Sequence, residues 1–243
     1  MSAEPGLADQ VMNSPAFGPW SDPGRRASFA CAALAAVAYV LLVDTLWTLV
    51  GIATVGGLVA APATTWFEGF DLVTRAVAVV YLTTLSIAAV AFIRWQRVAI
   101  RNLLFLGCRH PEHGTGIATA GWFIPFVSLV LPWLSLREIA RWSRHPGAGS
   151  ASALLGWWWG TYIISGFVAT TASVGFQLGS TSTIWVFAAA VDAVGSIGLI
   201  TSAILAVKMV RTLTAWQRRS RMARLATSRP QGGEPGSDRC YNS

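Results

Sequence analysis

The sequence predicts an all-α integral membrane protein with four transmembrane helices and a central proline-broken segment that is re-entrant or interfacial. Three observations predict it. Hydrophobic residues make up 53% of the 243-residue chain and charged residues only 12%, whereas a soluble domain carries about 25% charged. The arginines flank the apolar runs, as topology signals do. The stretch Gly121–Glu138 is apolar enough to enter a bilayer but carries Pro125 and Pro132 and closes on Arg137–Glu138.

Taken in order, residues 1–26 are rich in Pro, Gly, Ser and Asp. They lack apolar periodicity and read as a disordered cytoplasmic tail. Arg25 and Arg26 come too late for a signal peptide, and the apolar run behind them is too long. Ala27–Ala61 exceeds the ~20 residues that one span needs, so a tilted or extended first helix is expected, stopped by Pro62. Pro62–Asp71 reads as an outer loop with an interfacial Trp66. Ala76–Ile93 is the second span. Behind it, Arg94, Arg97 and Arg101 share a face if the helix continues. Gly107–Gly116 is a polar loop. After the central stretch, Arg137, Arg141 and Arg144 fall at helical spacing, and Glu138 is placed to pair with Arg141. Leu154–Leu178 is a span opened by Trp157-Trp158-Trp159, and Gly179–Thr183 is an uncharged turn. Ile184–Val207 is the last span. The membrane domain extends over 27–224, and 225–243 reads as a second disordered cytoplasmic tail.

Charge counting decides whether the central stretch crosses. If it does, at least six of the 18 Lys and Arg residues lie outside. If it enters and returns on one face, every basic residue except Arg75 lies inside, which the positive-inside rule favours. Proline breaks agree, because broken backbone at membrane depth is tolerated where protein or a water-filled cavity covers it. Both termini are then cytoplasmic, in a multi-pass protein of the inner (plasma) membrane. The net charge of +7 points to anionic lipid headgroups at that face rather than to nucleic acid.

Asp44 and Asp192 lie inside apolar runs, where an ionisable group is costly and marks a candidate intramembrane site. Arg75 is on their side and a possible partner for either. A clamp between helices and a cation or proton site are both open readings. Cys108, His110, Glu112 and His113 contain metal-type ligands, but Pro111 breaks their spacing, so no metal is expected. No nucleophile–base set or phosphate loop is visible, so no catalytic residue, enzyme activity or cofactor is expected. Two stretches, Trp95-Gln96-Arg97 behind Asp71 and Trp216-Gln217-Arg218 behind Asp192, recur at equal spacing.

Arg94-Trp95-Gln96-Arg97, Asn102, Leu106-Gly107, Gly121-Trp122-Phe123-Ile124-Pro125-Phe126, Leu131-Pro132-Trp133, Arg137-Glu138 and Trp142 resemble the bacterial membrane family called domain of unknown function 4328. The resemblance covers roughly 80–220, with Ser128 where the family usually has Asn. It implies membrane location and a shared fold, and no activity. Trp122, Pro125, Pro132, Arg137 and Glu138 form the candidate functional core. The expected function is a non-enzymatic interaction or regulatory module, with a protein partner or a second copy of the chain. The alternative is a small channel or transporter subunit using Asp44, Asp192 and the re-entrant segment.

Overall fold

A computed structural model of the chain describes residues 20–57, 64–108, 110–145, 147–178 and 181–227. Every regular element among them is helical: α1 (Gly24–Val55), α2 (Thr64–Phe105), α3 (Thr115–Ala120), a 3-10 turn (Val127–Leu129), α4 (Leu131–Ser143), α5 (Ser152–Leu178) and α6 (Ser182–Thr227). Three helices are long and apolar enough to cross a membrane: α1, α2 from Glu68 onward, and α6. The fourth long helix, α5, has 27 residues.

The helix contacts give the bundle its directions. Gly24 lies against Arg218 and Gly51 against Trp185, so α1 runs antiparallel to α6. Phe70 meets Trp185 and Trp95 meets Thr214, so α2 runs parallel to α6. Ser165 faces Gly198 and Ala169 faces Gly195, so α5 is antiparallel to α6. The start of α1, all of 106–151 and the end of α6 therefore share one end of the bundle. The described basic residues other than Arg75 gather there. α2 and α6, of 42 and 46 residues, are ~60–70 Å long at 1.5 Å per residue, twice the hydrocarbon thickness. A bilayer-spanning length of either helix therefore leaves a further stretch, which carries the arginines at the basic end.

Small residues set the α5–α6 contact. A Cβ on Gly195 would lie 3.0 Å from the Ala169 amide nitrogen, and one on Gly198 would overlap the Ser165 hydroxyl. Close backbone approach of this kind is how membrane helices gain dispersion contact. Gly198→Val is expected to destabilise the protein by about 1–3 kcal/mol through overpacking, read as a lower unfolding midpoint in detergent. Gly160→Val, where a Cβ meets nothing within 4 Å, is the neutral control.

Packing is tightest at the basic end, where Trp95, Leu103, Leu136, Ile139, Met209 and Val210 are fully buried. Around the spans, large apolar side chains such as Leu46, Leu72, Val79, Leu82 and Ile87 are exposed. An apolar surface of this extent marks contact with lipid or protein.

The structure revises several sequence expectations. Residues 20–26, assigned to the tail, are packed. Ser21 exchanges two hydrogen bonds with Asn102, at 3.0 and 2.8 Å, and Asp22 forms a two-pronged pair with Arg218. That guanidinium holds the Asp22 carboxyl below its ordinary value. The outer loop is shorter than expected, because α2 already begins at Thr64. Pro62, the Trp66 side chain, Arg109, Gly179, Cys240 and residues 228–243 lie outside the described positions. Arg94, Arg97 and Arg101 share an exposed face of α2, as the spacing predicts.

The central stretch is not a continuous helix. α3 ends at Ala120, a turn and the 3-10 turn follow, and α4 begins at Leu131. The chain reverses here, since a Cβ on Gly121 would collide with the Leu131 side chain. The two prolines act differently. Pro125 precedes Phe126, whose φ of 64° is a strained value for a bulky residue. Pro132 sits in the first turn of α4, where its missing N–H costs nothing.

Candidate functional site

The broken segment is fastened to the bundle through tryptophan and amide groups. The Trp122 indole N–H donates to the Gln96 carbonyl oxygen at 2.9 Å, and the Gln96 amide donates to the Ser135 hydroxyl at 2.8 Å. The Trp159 indole donates to the Leu129 carbonyl at 3.0 Å. On the neighbouring face, Gln217 donates to the Ala99 carbonyl at 2.9 Å and accepts from Asn102 at 3.3 Å. Gln96, Asn102, Ser135 and Gln217 are each no more than 1% exposed. A buried amide is stable there only because these bonds replace those lost to water.

Glu138 does not pair with Arg141. Its buried carboxylate accepts from the backbone N–H groups of Glu112 at 2.6 Å and His113 at 3.1 Å, and lies 3.1 Å from His113 Nδ1. Arg141 instead pairs with Glu112 at 2.6 Å, which holds that carboxyl below its usual range. α4 presents both toward the loop before α3, Glu138 buried against its backbone N–H groups and Arg141 on the surface against the Glu112 side chain. Arg137 is exposed, with its guanidinium over the Trp133 ring at 4.5 Å. Of the expected core residues, Trp122, Pro132 and Glu138 are drawn into one assembly, while Pro125 and Arg137 lie on its surface. Cys108 is buried beside that assembly and His110 is exposed; burial pushes the Cys108 thiol up.

The other candidate site is a half-enclosed cavity of about 920 Å³ at the end of the bundle opposite the arginines. Asp44 of α1 and Asp192 of α6 both line it, together with Tyr81 of α2 and Ser196 of α6. Phe70, Phe176 and Trp185 form its upper wall, and Asp71 lies there too. Arg75 is not a partner of Asp44 or Asp192. It reaches back one turn to Asp71 at 2.6 Å, on an exposed face. Among the described residues, neither Asp44 nor Asp192 has a hydrogen-bond or ion-pair partner, which leaves two acids facing one space within helices long and apolar enough to cross a membrane.

At the basic end of the bundle, below this cavity, lies an aromatic layer. Phe92 stacks with Trp158 at 6.0 Å and meets Trp122 edge-on at 5.7 Å, and Trp159 packs on Trp158 at 5.1 Å. The same rings hold the broken segment, so cavity and segment lie on opposite sides of one packed layer.

Tyr81, Ser196, Gln96, Asn102 and Gln217 were not singled out as site residues from the sequence. For the glutamines a signal existed. The two Trp-Gln-Arg stretches lie on parallel helices and bring Gln96 and Gln217 into the same buried layer, while the Asp71 and Asp192 behind them both line the cavity.

No curated protein and no solved structure matches the chain. A family model described as "Domain of unknown function (DUF4328)" matches residues 59–215, from α2 through most of α6, with Asp44 and the rest of α1 preceding the match. The chain therefore belongs to that family.

Proposed function

We propose that this protein is a four-span, non-enzymatic membrane module that binds a cation in the acidic cavity from the side opposite its arginines. One observation carries the reading: Asp44 and Asp192 line a single cavity and have no basic partner among the described residues. Intramembrane carboxylates are costly unless a counter-charge or a proton neutralises them. Among the described residues no side chain supplies that counter-charge, and in this reading a bound cation does.

In this reading α5 is the fourth span, and the segment between α3 and α4 enters and leaves on the arginine side. Both termini are cytoplasmic in the inner membrane. Anionic headgroups contact the exposed Arg94, Arg97, Arg101, Lys208 and Arg211. The packed aromatic layer beneath the cavity favours a sensing or regulatory module over an open channel. A protein partner or a second copy would read the state of the Trp/Pro segment from the cytoplasm.

The test is the unfolding midpoint of the full chain in lipid nanodiscs, titrated with sodium, potassium, ammonium and methylammonium at constant ionic strength. A ligand at 100 times its Kd stabilises the folded state by about 2.7 kcal/mol. The midpoint is expected to rise with at least one cation and to stay flat in Asp44→Asn. Indifference of the wild-type protein to every cation would sink the proposal.

A further inference from the structure

Resting on that reading of the cavity, we infer that its ligand is a small organic ammonium, with the charged end between Asp44 and Asp192 and an apolar end against Phe70, Phe176 and Trp185. The first reason is size. A cavity of about 920 Å³ lies in the range of small-molecule sites, ~300–1,000 Å³, and far exceeds the ~30 Å³ share of one water. A bare ion would leave nearly all of it filled with water.

The second reason is the arrangement of the walls. Trp185 lies edge-on to Phe70 at 6.3 Å and packs on Phe176 at 6.0 Å. A Cβ on Gly51 would meet Phe70 at 2.6 Å and Trp185 at 3.0 Å, so Gly51 marks the level of these rings on α1. Asp44 lies two helical turns from Gly51, and Asp192 two turns from Trp185. Two turns span ~10 Å. Both helices therefore set the same distance between an aromatic level and an acidic one. An inorganic cation uses only the second level. An arylalkyl ammonium uses both, gaining ring contact and cation–π attraction on the way in.

The third reason is Ser196, which lines the cavity at the acidic level. Its residue is only 4% exposed, yet its hydroxyl has no hydrogen-bond partner among the described residues. Ser173 and Thr201 nearby return their hydroxyls to the carbonyl one turn back, at 3.1 and 2.9 Å. With no such bond in the fold, the Ser196 hydroxyl oxygen is placed to accept an N–H from an ammonium in the cavity.

The experiment is calorimetric titration of the full chain in nanodiscs, corrected with empty nanodiscs, using 3-phenylpropylammonium, the neutral 3-phenylpropan-1-ol and potassium. The ammonium is expected to bind at least tenfold more tightly than either comparison. Asp192→Asn is expected to weaken it at least tenfold, and Ser196→Ala, a change too small to unfold the helix, severalfold. Trp185→Leu is expected to weaken the ammonium and leave potassium unaffected. Equal binding of the alcohol, or an ammonium affinity indifferent to Ser196→Ala and Trp185→Leu, overturns the inference. Asp192-dependent potassium binding with no advantage for the ammonium overturns the ligand class and leaves the cation reading standing. No Asp192-dependent binding of either cation removes both.

Discussion

Glu138→Ala is expected to lower the unfolding free energy by about 3 kcal/mol. Hydrogen bonds to a charged group contribute about 1.5–3 kcal/mol each, and removing the acceptor leaves its donors unmet. Glu138 is 5% exposed and accepts from two successive backbone N–H groups and from the His113 ring. Without it, the loop between α2 and α3 loses its anchor, and the entry to the broken segment loosens. Glu138→Gln is expected to recover only part of the loss, because its amide NH₂ would face an N–H. Glu112→Ala removes only a solvent-exposed pair with Arg141 and is expected to leave stability unchanged. Chemical unfolding in detergent measures all three. A stability of Glu138→Ala equal to wild type would show that the anchor is decorative.

The second large effect concerns the cavity. Asp44→Asn and Asp192→Asn are each expected to reduce cation affinity at least tenfold, without lowering the unfolding midpoint of the unliganded protein. Neither carboxylate holds a partner among the described residues. A carboxylate at a helix centre costs about 2.5–3.5 kcal/mol on insertion scales, so its neutral amide has no stabilising contact to lose. An interhelical clamp behaves in the opposite way: its removal lowers the midpoint and has no ligand dependence. Measuring both quantities on the same samples separates the two.

The all-helical class and three helices long and apolar enough to cross a membrane were legible because they rest on extended signals, apolar runs of bilayer length. The break at Pro125 was legible for the same kind of reason, since proline acts on its own backbone. Residue partners were not. Glu138 and Arg141 are one turn apart on α4 and both reach the loop preceding α3, yet Glu138 binds its backbone and Arg141 binds the Glu112 side chain. Arg75 was on the correct side for Asp44 and Asp192 but had a closer acid in Asp71. The cavity is a product of packing. It needs Asp44 from α1, Tyr81 from α2, Ser173 from α5 and Asp192 from α6, and no local pattern encodes the empty space between them. The packed residues 20–26 were missed because their order comes from Asn102 and Arg218, far along the chain.

Site-directed labelling tests the central claim most directly, on a background with Cys31, Cys108 and Cys240 replaced by serine. Ser196→Cys places a thiol in the cavity, and Ser150→Cys places one at the arginine end. Intact spheroplasts are treated with membrane-impermeant thiosulfonates, one cationic and one anionic. The account predicts that position 196 reacts from outside, faster with the cationic reagent than with the anionic one, and that position 150 reacts only after the membrane is opened. Outside labelling of position 150, or labelling of position 196 from the cytoplasmic side alone, would contradict it.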